Sequence, residues 1–152
     1  MRESLYNFEC KKYVIWENNM YQHKVQYYET DKMGVTHHSN YVRWMEEARI
    51  EYLAETGWSY KRIEEEGIIS PVVSVECHYK KTTTFDDLVN IEVSVQEFTG
   101  VKLKLGYKMY LDDKLVCDGT SLHCFLNSEG RPVRLKADYP DLYETFNSLK
   151  VS

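Results

Sequence analysis

The stretch NYVRWMEEARIEYLAETG, residues 40–57, decides how this chain folds. Its apolar and aromatic side chains recur every three or four residues, the spacing of one helical face: Tyr41, Trp44, Met45, Ala48 and Tyr52. Charged side chains lie on the opposite face, Ser39 or Asn40 is placed to cap the start, and Gly57 supplies a stop. The pattern predicts one long helix of about four turns.

Beyond this helix and a shorter charged one over 60–66, the apolar period changes to two residues. Thr99-Gly100 and Asp112-Asp113 are turns between such segments. Five strands are indicated: 21–28, 72–79, 89–95, 101–111 and 114–126. With a short C-terminal helix over 139–150, the sequence predicts an α+β domain in which the long helix covers one face of an antiparallel sheet.

Length and composition limit the classes of protein to consider. The chain has 152 residues and 43% hydrophobic residues, enough for one core, so we expect a single domain over 1–152 with an extension of unknown role at 1–19. A net charge of -5 gives no reason to expect a nucleic-acid partner. The chain shows neither a membrane-length apolar run nor a signal-peptide stretch, and its four cysteines form no Cys-x-x-Cys pair. We therefore expect a cytoplasmic protein with reduced thiols, no membrane span and no metal site.

The most informative motif is YYETDKMGVTHHSNY, residues 27–41, followed on the helix by Glu46, Ala48 and Arg49. It resembles the signature of the 4-hydroxybenzoyl-CoA thioesterase-like family of hotdog-fold acyl-CoA thioesterases. In that family an Asp precedes a Gly-Val turn, a His-x-Asn-Tyr helix start and Glu-x-Ala-Arg. The segment YKKTTTFDDL, residues 79–88, resembles the family's second strand and the turn after it, although Thr82-Thr83 stands where Pro-Ala is frequent. The resemblance spans about residues 21–135.

The resemblance implies a hotdog fold, an antiparallel sheet of about five strands wrapped around one long central helix, and hydrolysis of an acyl-CoA thioester without a cofactor. A thioesterase must polarise the carbonyl, bring water or a carboxylate to its carbon and expel a thiolate. Asp31 would then act as nucleophile or general base. By residue type alone, an Asp in such a turn more often caps a backbone N–H. Backbone N–H groups at the helix start near His38 are suited to bind the oxyanion.

Two further residues are candidates for the catalytic site. His38 is placed to orient the carbonyl or the attacking water, or else it is a cap or packed side chain. Glu46 occupies the family's Glu position and would position water, or else it forms an intrahelical ion pair with Arg49. His37 and His38 are adjacent and lack the i, i+4 spacing of a helical zinc site, so we predict no metal there.

Substrate contacts are expected from Tyr41, Lys80 and Lys81. Tyr41 belongs either to an acyl pocket or to the core stripe of the helix. Lys80 and Lys81 would face the phosphates of CoA, or else they keep an exposed sheet surface soluble.

Other functions and the assembly follow from the same resemblance. An acyl-carrier-protein thioesterase is an alternative, because the reacting thioester is the same. A non-catalytic acyl-CoA-binding hotdog protein is another, and Asp31 argues against it. Exposed sheet edges predict a homodimer or homotetramer, because the family joins two sheets into one.

Overall fold

The structure, a computed structural model, describes residues 20–151. In this part of the chain one antiparallel sheet has the strand order β1-β3-β4-β5-β2. Its strands are β1 (Tyr21–Lys24), β2 (Val72–Tyr79), β3 (Leu88–Phe98), β4 (Lys102–Leu111) and β5 (Lys114–Cys124). The α-helices are α1 (Ser39–Glu55), α2 (Tyr60–Glu65), α3 (Leu135–Asp138) and α4 (Pro140–Leu149), and a 3-10 helix spans Tyr27–Glu29. The predicted sheet of five strands and long helix are confirmed.

The core lies between α1 and the inner face of the sheet. The apolar stripe predicted for the helix is buried, with Trp44 fully enclosed. Met45 packs over Gly119 of β5, where an added side chain would collide with Met45 and with the backbone of Glu76. Glycine at this position therefore lets the helix approach the sheet closely, which burial of the stripe requires.

The start of α1 differs from the prediction. His38 is the N-cap and Ser39 is the first helical residue, so neither Ser39 nor Asn40 caps the helix. The Asn40 amide instead donates to the carbonyl of Glu29 at 3.0 Å and to that of His37 at 3.2 Å. A tertiary contact thus takes the polar side chain that the local pattern assigned to the cap.

The first strand is shorter than predicted. It ends at Lys24, because Val25 turns to bond Asp87 and Asp86 through its backbone and the chain then enters the 3-10 helix. The two tyrosines of that helix, which favoured a strand by propensity, are 77% and 82% exposed. The predicted extension over 1–19 lies outside the described residues.

The two edges of the sheet are unequal. β2 is an eight-residue edge strand along which every residue except Cys77 is exposed. At the opposite side β1 has four residues, and beyond it the C-terminus covers β3, with Val151 N donating to Val95 O at 3.0 Å. None of the helices in residues 20–151 is long and apolar enough to cross a membrane.

Candidate active site

Asp31 lies in a tight turn between the 3-10 helix and α1. Its Oδ1 accepts a hydrogen bond from Met33 N at 2.8 Å, and its backbone pairs with Gly34 and Val35. Gly34 has φ +77°, a conformation that suits glycine and closes the turn. The carboxylate therefore does serve the turn, and its position is fixed by the same backbone that it caps.

A second loop, residues 82–84, is hydrogen-bonded to this turn. Thr36 N donates to Thr83 O at 2.8 Å, and the hydroxyls of the two threonines lie 2.7 Å apart. The Tyr41 hydroxyl joins them at 2.9 Å from Thr83 Oγ1, and Thr84 Oγ1 donates to Gly34 O at 2.7 Å. Burial raises the pKa of Tyr41, so its phenol is protonated at neutral pH. This buried hydroxyl cluster joins the Asp31 turn, the 82–84 loop and α1.

The start of α1 forms one wall of a cavity of about 280 Å³ beside the turn. The side chain of His38, the N-cap residue, accepts no hydrogen bond from the first helical turn. The Tyr79 hydroxyl donates to His38 O at 3.0 Å. The cavity is lined by Asp31, Met33, Val35, Thr36, His38, Tyr41, Tyr79, Lys80, Lys81 and Thr82. A carboxylate and the positive end of a long helix therefore face one space.

Glu29 anchors the Asp31 turn to α1 through both its backbone and its side chain. Its carbonyl accepts from His37 N at 2.8 Å and from the Asn40 amide at 3.0 Å. Its carboxylate, in a residue only 4% exposed, accepts from Trp44 Nε1 at 2.7 Å and from Gln26 N at 2.8 Å. The bonds from His37, Asn40 and Trp44 hold Glu29, two positions before Asp31, against the first turns of the helix, and the bond from Gln26 caps the 3-10 helix.

His23 completes the anchor from β1. Its Nε2 lies 2.7 Å from Glu29 Oε1, its Nδ1 lies 2.8 Å from Glu47 Oε2, and its ring stacks on Trp44 at 4.6 Å. Each ring nitrogen thus lies within hydrogen-bond distance of a carboxylate oxygen, one from the 3-10 helix and one from α1. Burial alone would raise the pKa of Glu29, but the bonds from Gln26, His23 and Trp44 outweigh it and hold that pKa below its usual value.

The structure brings together most, but not all, of the residues proposed from sequence. Asp31, His38, Tyr41, Lys80 and Lys81 all line the cavity. Glu46 is absent from that lining; its side chain is 64% exposed and lies 3.7 Å from Arg49, the intrahelical pairing considered above. His37 stacks on His38 and its Nδ1 lies 2.8 Å from Ser39 Oγ.

Three supporting residues were not singled out from the sequence: Glu29, His23 and Thr83. Glu29 stands inside the quoted motif, yet an acid before a turn is ordinarily solvated, and its burial depends on Trp44 fifteen residues away. For Thr83 a signal existed, because the departure from Pro-Ala lies at this position.

Comparison with known proteins identifies the family. The model of the thioesterase-like superfamily matches residues 25–146. A putative acyl-CoA thioesterase of Bacillus subtilis, YneP, is 30% identical and the match covers 84% of this chain and 94% of that protein. The 4-hydroxybenzoyl-CoA thioesterase of Pseudomonas sp. strain CBS-3 is 24% identical, over 80% of this chain and 94% of that one.

Solved structures agree with the fold. The DHNA-CoA thioesterase of Staphylococcus aureus superposes with a TM-score of 0.81 at 30% identity, covering 85% of this chain and 88% of that one. The hotdog fold and the family resemblance are thus confirmed. A family match across most of the chain, together with relatives of this similarity, shows that the protein is a thioester hydrolase and belongs to the thioesterase-like superfamily.

Proposed function

We propose that the protein hydrolyses an acyl-CoA thioester to the free acid and CoA, with Asp31 as the catalytic carboxylate. The observation that carries the proposal is the placement of Asp31 and the start of α1 on the walls of one cavity. A thiolate is already a good leaving group, so the protein has to supply a carboxylate and a site for the oxyanion. The proposed route uses protein groups alone.

The start of α1 is the proposed oxyanion site. Backbone N–H groups in the first turn of a helix lack intrahelical acceptors, and the helix dipole adds partial positive charge there. The N-cap side chain does not accept from them, but Ser39 N already donates to His37 Nδ1 at 3.3 Å and Asn40 N to His37 O at 3.0 Å. The backbone N–H of His38 is therefore the proposed donor to the substrate oxygen. The bond from Tyr79 to His38 O fixes the backbone of this turn from the other side.

Asp31 acts by one of two routes. In the first, Asp31 attacks the thioester carbon, the C–S bond breaks and CoA thiolate leaves, and water then hydrolyses the acyl anhydride to the free acid and the Asp31 carboxylate. In the second, Asp31 takes a proton from the water that attacks the thioester carbon, and CoA thiolate again leaves. The turn holds Oδ1 against Met33 N, which fixes the orientation of the carboxylate for either route.

The cavity also supplies proposed substrate contacts. Lys80 and Lys81, both exposed on its wall, provide the positive charge that CoA phosphates require. Tyr41 closes the bottom of the cavity, where its ring packs edge-on against Tyr79 at 5.1 Å between centroids. The same walls would accept an acyl group attached to a carrier protein, so turnover of the two carriers should be compared directly.

We further propose that two chains pair through β2. Val75 shares the inner face of that strand with Cys77 and Tyr79, yet it is 40% exposed, which leaves apolar inner-face surface uncovered. An unpaired edge of eight residues offers a full ladder of backbone donors and acceptors. Antiparallel pairing of two β2 strands about a two-fold axis would cover the apolar surface at Val75 and pair the free backbone groups of the edge. It would also join two five-stranded sheets into one.

Substitution of Asp31 by asparagine tests the catalytic proposal. Asparagine keeps an oxygen for Met33 N while removing the negative charge, so the turn should persist and kcat should fall by at least about 100-fold with a small change in KM. The measurement is steady-state hydrolysis across short, long and aromatic acyl-CoAs and one acyl-carrier protein. Asp112→Asn, in the exposed turn between β4 and β5, is the matched control. An Asp31→Asn enzyme with most of its kcat would reduce Asp31 to a turn residue.

A further inference from the structure

A second cavity, of about 200 Å³, lies at the opposite end of α1. Its walls are mainly apolar, with Leu53 from α1, Ile63 from α2, Leu105 from β4 and Phe125 after β5. Leu53 follows Ser39 by fourteen positions, so this α1-end cavity lies about 20 Å along the helix from the proposed oxyanion site. The two cavities share no lining residue.

A chain of buried polar side chains ends at the wall of the α1-end cavity. The Tyr107 hydroxyl lies 2.6 Å from Ser121 Oγ, and Ser121 Oγ lies 2.7 Å from Nε2 of His123, which lines the cavity and is 2% exposed. Arg49, itself 6% exposed, donates through Nε to the hydroxyl of Tyr60 at 2.9 Å, and its positive charge also acts on the Tyr107 hydroxyl. Tyr60 is also part of the cavity wall.

Arg49 orients the hydroxyls near it, because a guanidinium is positively charged and donates hydrogen bonds but never accepts them. The charge of Arg49 favours the arrangement in which the Tyr107 oxygen faces the guanidinium and the Tyr107 hydrogen goes to Ser121. Ser121 in turn donates to His123 Nε2, which must then be the unprotonated nitrogen of the ring. Tyr60 accepts from Arg49, which leaves its O–H to act as a donor.

The ring of His123 is neutral at physiological pH. Burial, with the nearby charge of Arg49, lowers the pKa of His123 to about 4. A neutral imidazole carries one proton, and with Nε2 as acceptor that proton lies on Nδ1. His123 and Tyr60 therefore bring two N–H or O–H donors to a wall that is mainly apolar, with Glu64 and Ser70 as its other polar residues.

We propose that the α1-end cavity is a second binding site, for a small and largely apolar molecule that carries one hydrogen-bond acceptor oxygen, such as a ketone or ester carbonyl. Its volume suits a single ring with a short substituent, since an engineered cavity of about 150 Å³ holds benzene. A carbonyl oxygen gives the donors of His123 and Tyr60 an acceptor, whereas a hydrocarbon of the same shape displaces water from them and offers none.

Two probes of the same shape test the proposal. Acetophenone and α-methylstyrene have equal numbers of heavy atoms, and the second replaces the carbonyl oxygen by a methylene carbon. We expect acetophenone to bind the full chain at least about tenfold more tightly, because a site built on hydrogen bonds rejects the analogue that lacks the acceptor. Methyl NMR titration measures both affinities and locates the probe, with shifts expected at Leu53, Ile63 and Leu105.

Two variants complete the test. Ile69, at the cavity wall and 50% exposed, allows Ile69→Trp to obstruct the cavity without disturbing the core, and this change should abolish binding of both probes. His123→Phe keeps an aromatic ring at this position while removing its N–H donor, and should abolish the preference for acetophenone. Failure of both probes to bind at millimolar concentration, equal affinity of the two for the wild type, or shifts confined to the Asp31 cavity would each overturn the proposal. The outcome is independent of thioester hydrolysis, because neither probe contains a thioester.

Discussion

Replacement of Glu29 by glutamine tests whether the anchor of the Asp31 turn is needed for catalysis. The carboxylate accepts from Trp44 Nε1, from Gln26 N and from His23. A glutamine amide has one oxygen and one NH2 group. In one orientation the NH2 meets the N–H of Trp44, and in the other it meets the N–H of Gln26. Either way a buried donor loses its acceptor, which costs about 1–3 kcal/mol of the free energy of unfolding.

The effect on activity should exceed what this loss of stability implies. The carbonyl of Glu29 bonds His37 N and the Asn40 amide, so a shift of this residue moves the Asp31 turn against the start of α1. A misplacement of about 1 Å between reacting groups lowers the rate on the order of 100-fold. We therefore expect kcat for the best acyl-CoA to fall by about that factor at a temperature where the variant is fully folded, with a small change in KM.

Glu47→Gln is the matched control for this experiment. Glu47 also bonds His23, but its side chain is 41% exposed and lies on α1 without a bond to the Asp31 turn. Water can replace a lost partner there, so kcat should hardly change. The reasoning fails if Glu29→Gln loses stability, by urea unfolding, while it retains most of its kcat, or if both variants lose kcat equally.

Three further outcomes are expected. His38→Pro removes a backbone N–H at a position whose φ of -55° suits proline, and should lower kcat about 100-fold to 1000-fold. His38→Ala keeps that N–H, so its loss of kcat should be smaller. Equal losses of kcat in the two variants would assign the effect to the imidazole. Val75→Lys places a charge at the proposed interface between two β2 strands, and the variant should sediment as a monomer at micromolar concentration. A wild-type protein that is also monomeric at that concentration would disprove the pairing. The pKa of Glu29 is lower in the folded state than in the unfolded chain. The stability that its carboxylate contributes is therefore present above the unfolded pKa of about 4.3 and is lost as the pH falls through the folded pKa. Stability should fall more steeply with decreasing pH for the wild type than for Glu29→Gln in acid unfolding.

The sequence predicted the fold well where a pattern extended over many residues. The stripe from Tyr41 to Tyr52 and the alternation along β3 and β4 each repeat the same local preference, and tertiary contacts reinforce it. Element ends were less predictable. The cap of α1 depends on the bond from Asn40 to Glu29, and the end of β1 depends on the bonds of Val25 to Asp86 and Asp87, all partners outside their own segments.

The residues of the candidate site were likewise predicted where a local motif contains them and missed where only tertiary contacts bring them together. The family motif brought attention to Asp31, His38 and Tyr41, which the structure places on one cavity, while their catalytic roles stay predictions. The buried acid Glu29 was missed because its partners come from β1 and α1, and no local spacing reveals that convergence. Glu46 was selected by motif position, although the same helical spacing also allowed the pairing with Arg49 that the structure has.

The unequal edges of the sheet limit how many chains strand pairing can connect. A two-fold axis through β2 uses that edge in both copies at once, so the pair has no second β2 to offer a third chain. At the opposite edge of the sheet β1 has four residues, and beyond β1 the N–H of Val151 donates to the carbonyl of Val95. A strand of four residues with His23 and Lys24 along it is a poor template for addition. If the proposed β2 pair forms, growth by edge pairing would end at two copies, and the long β2 edge would not lead to filaments.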